Sequence, residues 1–223
     1  AVFVHMNQEY VLLGGLYWRL CGIPIYFWRN HPEGNWLTRV ACGFSRKIFF
    51  TSPFSYAASV AGSKGVRMPV GIDTEKFIGF IKSIPPKADP PSAEKSKVLR
   101  IIYIGRISPV KNIHVLVEAL KILKDRAVEF SMDIYGSPVD RREDLLYFGK
   151  IKTLTTNYQL PTTFFPSIPN TEVPKLYGYA DLSVNMTTTG SMDKAIFESM
   201  ASEVPVIFSN QALEHDFPEL FFQ

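Results

Sequence analysis

Residues 182–208, LSVNMTTTGSMDKAIFESMASEVPVIF, read as a buried strand, a turn of small residues, a short helix and a second buried strand. On a wheel of about 100° per residue, Ile196, Phe197, Met200 and Ala201 gather on one face and Glu198 falls about 130° from its centre. The pattern therefore predicts that Glu198 points away from the core while its helix packs on a sheet. The helix begins beside Thr187–Ser191, a turn at the C-terminal end of a strand. Open α/β sheets bind ligands there, and a helix N-terminus suits an anion. The plainer alternative is a solvated glutamate on an ordinary amphipathic helix.

Working outward, the same alternation of strand and helix recurs along the chain. Ala1–Val4, Pro24–Trp28, Lys47–Thr51 and Val66–Val70 read as strands, separated by helices over Gln8–Leu20, Trp36–Gly43 and Phe54–Ala61. After residue 98 come Leu99–Ile104, a helix over Val110–Lys124, Phe130–Tyr135, a helix over Asp140–Asn157, Thr163–Phe165, a helix over Thr171–Tyr179, and the opening stretch. Such alternation means parallel sheets with helices on their faces. Between the two series, residues 78–97 hold four prolines, mixed charge and little apolar periodicity, so they read as a linker. The expected division is residues 1–77, linker 78–97 and residues 98–223. The first part has few strands and the chain stops soon after a fifth strand of the second, so a fragment lacking parts at both ends is expected.

A chain of 223 residues, 46% hydrophobic, can bury one large core or two modest ones. Its mean hydropathy is near zero, which argues against an integral membrane protein. Tyr10–Trp28 is apolar but carries Gly14, Gly15, Arg19, Gly22 and Pro24, so it reads as helix, turn and strand rather than a span. The first apolar run is interrupted by His5 and shows no signal-peptide pattern. Cys21 and Cys42 have no metal-ligand or CxxC spacing, which favours reduced thiols and a cytoplasmic setting. Residues 1–77 hold eight Lys/Arg against four Asp/Glu, whereas residues 98–223 hold twelve against fifteen. The basic first part suits anionic lipid at a cytoplasmic membrane face, an anionic acceptor, or simply solvent. No arginine-rich tract or aromatic–basic repeat points to nucleic acid.

Arg106 lies just past a strand, and Lys111 falls in the first turn of the predicted helix after Ser108, a natural N-cap, and Pro109. A cation in that turn opposes the helix dipole by about 0.3–1 kcal/mol, and a bound anion would repay it. Two exposed basic residues on a loop are the alternative. No Walker A loop or GxGxxG is present. The absence of D-x-D and H-E-x-x-H leaves no expected metal, and that of G-x-S-x-G leaves nucleophilic hydrolysis unsupported. His31 closes a strand and can donate to a ligand oxygen, or be a satisfied surface histidine. His5 is a poorer version of the same placement, and His114 falls on a polar helix face.

Gly71-Ile72-Asp73, IIYIGRISPVKN with Arg106 and Lys111, PNTEVPKLYGYAD, and MDKAIFESMASEVPVI together resemble the family 4 (group 1) glycosyltransferases, retaining enzymes of the GT-B architecture. The resemblance is clear over about residues 70–208. It implies two Rossmann-like parallel-sheet domains facing across a cleft, here with an incomplete N-terminal acceptor-side domain and a C-terminal nucleotide-sugar domain lacking its end. Arg106 and Lys111 would hold the diphosphate of a nucleotide sugar, and Glu198 would accept from the ribose hydroxyls. Backbone N–H groups near Ser191, Met192, Asp193 and Lys194 would face a phosphate, and His31 would touch the transferred sugar. No cofactor or metal is implied, and the acceptor would be a glycan, lipid or small molecule. Two departures stand out. Gly190 occupies the position of a second glutamate that usually reads sugar hydroxyls, so Ser191, Asp193 or Lys194 would have to serve; and Glu203 stands where glycine is usual. The rival readings are a non-catalytic nucleotide-sugar-binding module and a GT-B sugar-nucleotide epimerase.

Overall fold

The computed structural model describes residues 1–83, 98–188, 190, 192–214 and 216–217. The chain divides into two compact units, one built mainly on Ala1–Gly71 and the other on Ile72–Thr188 and Asp193–Ser209. In the first, β1 (Val2–His5), β2 (Ile25–Trp28), β3 (Lys47–Phe50) and β4 (Gly65–Arg67) form a parallel sheet in the order β1-β2-β3-β4. Helices α1 (Gln8–Leu20), α2 (Trp36–Phe44) and α3 (Tyr56–Ala61) make the crossovers. Right-handed crossovers between strands that advance in one direction place all three on one face. Val4, Ile25, Phe27 and Ile48 point into that layer and are buried. The alternate residues form an aromatic face, in which the Phe49 ring stacks on Tyr26 and Trp28. Each helix starts at a side-chain cap: Asn7 accepts from Glu9 N, Asn35 and Thr38 form a reciprocal box, and Ser55 accepts from Ala58 N.

In the second unit, α4 (Thr74–Ser83) precedes β5 (Leu99–Ile104), α5 (Ile113–Asp125), β6 (Phe130–Tyr135), α6 (Arg142–Asn157) and β7 (Thr162–Phe165). Then follow α7 (Val173–Tyr177), β8 (Leu182–Asn185), α8 (Lys194–Ala201) and β9 (Val206–Phe208). The five parallel strands run β7-β6-β5-β8-β9, so the strand order reverses between β5 and β8. Both faces of this sheet are covered: Ile101, Tyr103, Met132 and Ile134 pack with α5 and α6, while Ile102 packs with Phe77, Tyr177 and Val204. That is why Ile101–Ile104 of this strand form an unbroken apolar run rather than an alternating one. Among the described residues no helix is long and apolar enough to cross a membrane.

Several elements depart from the sequence reading. The expected linker begins inside α4, whose helix continues to Ser83, because Phe77 is buried against Tyr177 with ring centroids 6.3 Å apart. The proline-rich remainder, 84–97, lies outside the described residues. The helix expected from Val110 instead opens as a 3₁₀ turn over Pro109–Lys111, and α5 begins only at Ile113. Asn112 separates the two at φ 47°, and its amide donates to Met186 O (3.1 Å) and Thr188 Oγ1 (3.2 Å). The Ser108 hydroxyl caps nothing.

Glu203, unexplained by sequence, has a physical account. Glu203 N donates to Met200 O and Val204 N to Ser199 O, the paired bonds of a Schellman closure of α8. That closure needs a left-handed residue, and Glu203 sits at φ 54°, where a side chain is strained and glycine is not. Glu203→Gly should therefore stabilise the protein by about 1 kcal/mol, read as a Tm rise of about 2–4 °C. Gly136 poses the opposite case. At φ 158° its missing Cβ would fall 3.0 Å from Gly105 C and collide with the Gly105 carbonyl oxygen. Gly136→Ala should cost about 2 kcal/mol or more and lower the denaturant midpoint, because the backbones at the ends of β5 and β6 would have to part.

Candidate functional site

The turn after β5 and the turn after β8 meet at the point where the strand order reverses, outside the C-terminal ends of the strands. Tyr103, itself buried, donates its hydroxyl to Arg106 O (3.1 Å) and shapes the first turn from beneath. Burial, and secondarily the Asp193 charge, push the Tyr103 phenol well above its ordinary range, so it remains a donor. The Arg106 side chain is exposed and makes no hydrogen bond or ion pair among the described residues.

Lys111 is different. Its ammonium lies 2.5 Å from Asp193 Oδ2, with both side chains largely buried. Asn185 Nδ2 (2.9 Å) and Thr187 Oγ1 (3.3 Å) donate to the same oxygen. The counter-charge that the sequence reading sought for Lys111 in an anion is thus already supplied by the protein. Burial works to raise the Asp193 pKa, but the Lys111 charge and the hydrogen bonds from Asn185, Lys111 and Thr187 outweigh it and hold the carboxyl below its ordinary range. Asp193 stands at the N-cap of α8 without capping it. The first N–H groups of α8 therefore have no side-chain cap and keep their affinity for an acceptor. Lys194, the first residue of the helix, is exposed.

Glu198 corrects the wheel reading. It is 7% exposed, because α8 packs between the sheet and α4 and has no broad solvent face. Asn170 Nδ2 donates to Glu198 Oε1 (3.3 Å), and Lys76 Nζ holds Asn170 through its carbonyl (2.9 Å) and Oδ1 (3.0 Å). Burial raises the Glu198 pKa, against the pull of Asn170 and Lys194. Beneath the helix, the buried Tyr177 hydroxyl donates to Ala195 O (3.0 Å) and fixes its first turn.

The second unit thus brings together Arg106, Lys111, Asp193, Lys194 and Glu198 around the two turns and α8. Asn112, Asn170, Asn185 and Thr187 were missed by sequence reasoning. An asparagine ending a strand, as Asn185 does, was the available signal. Met192 is half-buried, and Ser191 lies outside the described residues. Gly190 belongs to the first unit, where the Ser52 hydroxyl donates to its carbonyl and a Cβ would collide with Phe54 Cβ. His31 is also in the first unit, exposed beyond the end of β2, with Nδ1 3.0 Å from Glu33 N. The same Nδ1 lies 3.0 Å from Glu33 O, so both backbone groups of Glu33 hold the ring. His114, expected to face solvent, is half-buried against the Tyr147 hydroxyl (3.0 Å). Among the described residues no three His, Cys, Asp or Glu side chains gather as a metal would require.

The family described as "Glycosyl transferases group 1" matches residues 86–215, more than half of the chain. The chain belongs to that family. The Escherichia coli (strain K12) protein WcaL, whose name places it among colanic acid biosynthesis glycosyltransferases, is 31% identical over 131 residues, covering 55% of this chain and 30% of its own. Among solved structures, the chain is similar to Anabaena Alr3699/HepE in complex with UDP and glucose, at TM-score 0.71 and 17% identity over 95% of this chain and 60% of that one. A glycosyltransferase from Rickettsia africae ESF-5 matches at TM-score 0.73 and 19% identity, over 96% and 59%. These structural likenesses establish the parallel α/β architecture of GT-B enzymes. The chain spans under two thirds of the length of each of these relatives.

The raised Glu198 pKa has a sign. A carboxyl that is harder to ionise when folded gives its full stability below the unfolded pKa and loses it as pH rises through the folded value. Glu198→Gln should therefore raise Tm at neutral pH, with the gain vanishing at pH 4 and below. If the side chain also accepts from a nucleotide, the same variant should bind UDP roughly tenfold more weakly by calorimetry.

Proposed function

We propose that the full-length protein transfers a sugar from a nucleotide-diphosphate sugar to an acceptor hydroxyl, retaining the anomeric configuration and using no bound metal. The observation that carries this reading is the reversal point of a five-stranded parallel sheet, where the turn after β5 carries Arg106, a guanidinium without a partner among the described residues, and the segment after β8 leads to the uncapped start of α8. Arg106 offers a planar fork to the diphosphate. Lys111 has three N–H donors, of which Asp193 takes one, so it can still reach a phosphate oxygen. Glu198 accepts from the ribose hydroxyls and His31 touches the transferred sugar. HepE was solved with UDP and with UDP-glucose, and a trehalose-6-phosphate synthase of similar fold (TM-score 0.76, 12% identity, covering 99% of this chain and 61% of that one) is described as transferring with retention. UDP-sugars are accordingly the first donors to try.

The chemical burden is the leaving group. As the glycosidic C–O bond breaks, negative charge accumulates on the distal phosphate. Arg106, Lys111 and the N–H groups that open α8 meet that charge without reorganising, which lowers the barrier more than it tightens the ground state. The departing phosphate oxygen takes the acceptor's proton as the acceptor attacks from the same face, which retains configuration. The absence of D-x-D from the sequence favours this division of labour over a carboxylate-held cation.

In the full-length enzyme, Arg106→Ala should lower kcat by about 10²–10³-fold with a much smaller change in KM for the donor. A change confined to KM would make Arg106 a uniform binder. NMR of the product should show the donor's anomeric configuration, and activity should survive exhaustive chelation. The non-catalytic reading, favoured by Gly190, predicts donor binding without transfer or hydrolysis.

A further inference from the structure

We propose that Asp193 is the residue that reads a hydroxyl of the transferred sugar, through Oδ1, with Lys111, Asn185 and Thr187 holding its other oxygen. The proposal rests on the glycosyltransferase reading above and names the group within that site that discriminates the donor sugar.

Three donors converge on a single oxygen of this carboxylate. Lys111 Nζ, Asn185 Nδ2 and Thr187 Oγ1 all bond Oδ2, at 2.5, 2.9 and 3.3 Å. Oδ1 accepts no hydrogen bond among the described residues, although the side chain stands at the N-cap of α8, where aspartate usually accepts from its own helix. The side chain keeps 19% of its surface exposed, so the free oxygen belongs to a fixed but accessible group. Its donors come from three segments, the 3₁₀ turn before α5, the end of β8 and the turn that follows, so its orientation is fixed from several sides.

The chemistry of the free oxygen selects its partner. An ionised carboxylate only accepts, and a phosphate at neutral pH only accepts, so the two repel and Oδ1 is no phosphate ligand. A hydroxyl donates to it well, and the charge makes that bond worth more than a neutral one. The nucleotide sugar offers two sets of hydroxyls, on the ribose and on the sugar. Glu198 is five residues further along α8, about 7.5 Å of helical rise away. The two carboxylates thus stand at separate levels of α8 and about 140° apart around its axis, so they meet different parts of a ligand. Position 190 has no side chain to contribute, and a Cβ there would collide with Phe54 Cβ. This leaves Asp193 as the carboxylate of the β8–α8 turn.

The test is calorimetry on the full-length protein with UDP and a panel of UDP-sugars, comparing wild type with Asp193→Asn. Wild type should bind its preferred UDP-sugar more tightly than UDP. The variant should lose roughly tenfold to a hundredfold in affinity for that UDP-sugar while binding UDP as well as before or more tightly, because a negative charge near the phosphates is gone. A merely structural Asp193 would weaken both ligands together, and that result, or no change in either, overturns the proposal. Should Asp193→Asn not fold, Asp193→Glu keeps the charge and moves the carboxylate by one methylene; an unaltered order of sugar preference would then overturn it. If wild type binds neither UDP nor any nucleotide sugar, the glycosyltransferase reading itself fails. If wild type discriminates among sugars and the variant preserves that discrimination, only the role of Asp193 fails.

Discussion

Lys111 and Asp193 are 82 residues apart in the chain and joined by a contact of 2.5 Å. The contact binds the turn after β5 to the turn after β8, across the place where the sheet changes direction. Removing two charges from water is expensive, and mutual attraction alone seldom repays it. Here Asn185 and Thr187 supply further hydrogen bonds, and the pair remains partly wetted, so the carboxylate stays ionised. Asn112 ties the same two turns a second time through Met186 and Thr188. Together these bonds fix where Arg106 emerges and where α8 begins.

Around that anchor the site is a balance of unlike charges rather than a simple basic patch. Lys111 is neutralised by Asp193, Arg106 has no partner among the described residues, Lys194 is exposed at the helix start, and Glu198 is buried with its pKa raised. Burial makes the ionised Glu198 side chain costly to the fold, with Asn170 offsetting part of that cost. Glu203 is a different kind of cost. Its left-handed backbone serves only to end α8, and nothing in the structure shows a benefit from the side chain.

Much of the framework was legible from periodicity. LRIIYI, FSMDIY and LSVN appear as strands close to where the apolar runs put them, and α1 spans Gln8–Leu20 as expected. Arg106 and Lys111 were singled out from their positions at a strand end and a helix start, Glu198 from its face of the helical wheel, and Asp193 only through the family resemblance. The failures share a cause. The helical wheel treated α8 as a surface helix with one buried face, whereas α4 covers the other. The linker reading counted prolines and missed Phe77, whose burial against Tyr177 extends the helix into that segment. Propensity read Ser108-Pro109 as a helix start, but side-chain bonds from Asn112 to a distant turn broke the first turn into 3₁₀ form.

By itself, then, the amino-acid sequence determined the parallel α/β class, the order of the elements and the family, because these follow from local periodicity and from residue types at strand ends. Only the tertiary structure decided which charges are paired and which are free. Whether Lys111 waits for an anion or already has a partner depends on Asp193, brought to it by the β5–β8 pairing, and whether Glu198 is wet or dry depends on α4. Ionic partners and burial are set by contacts between segments far apart in the chain, and no window of sequence contains both sides of such a contact.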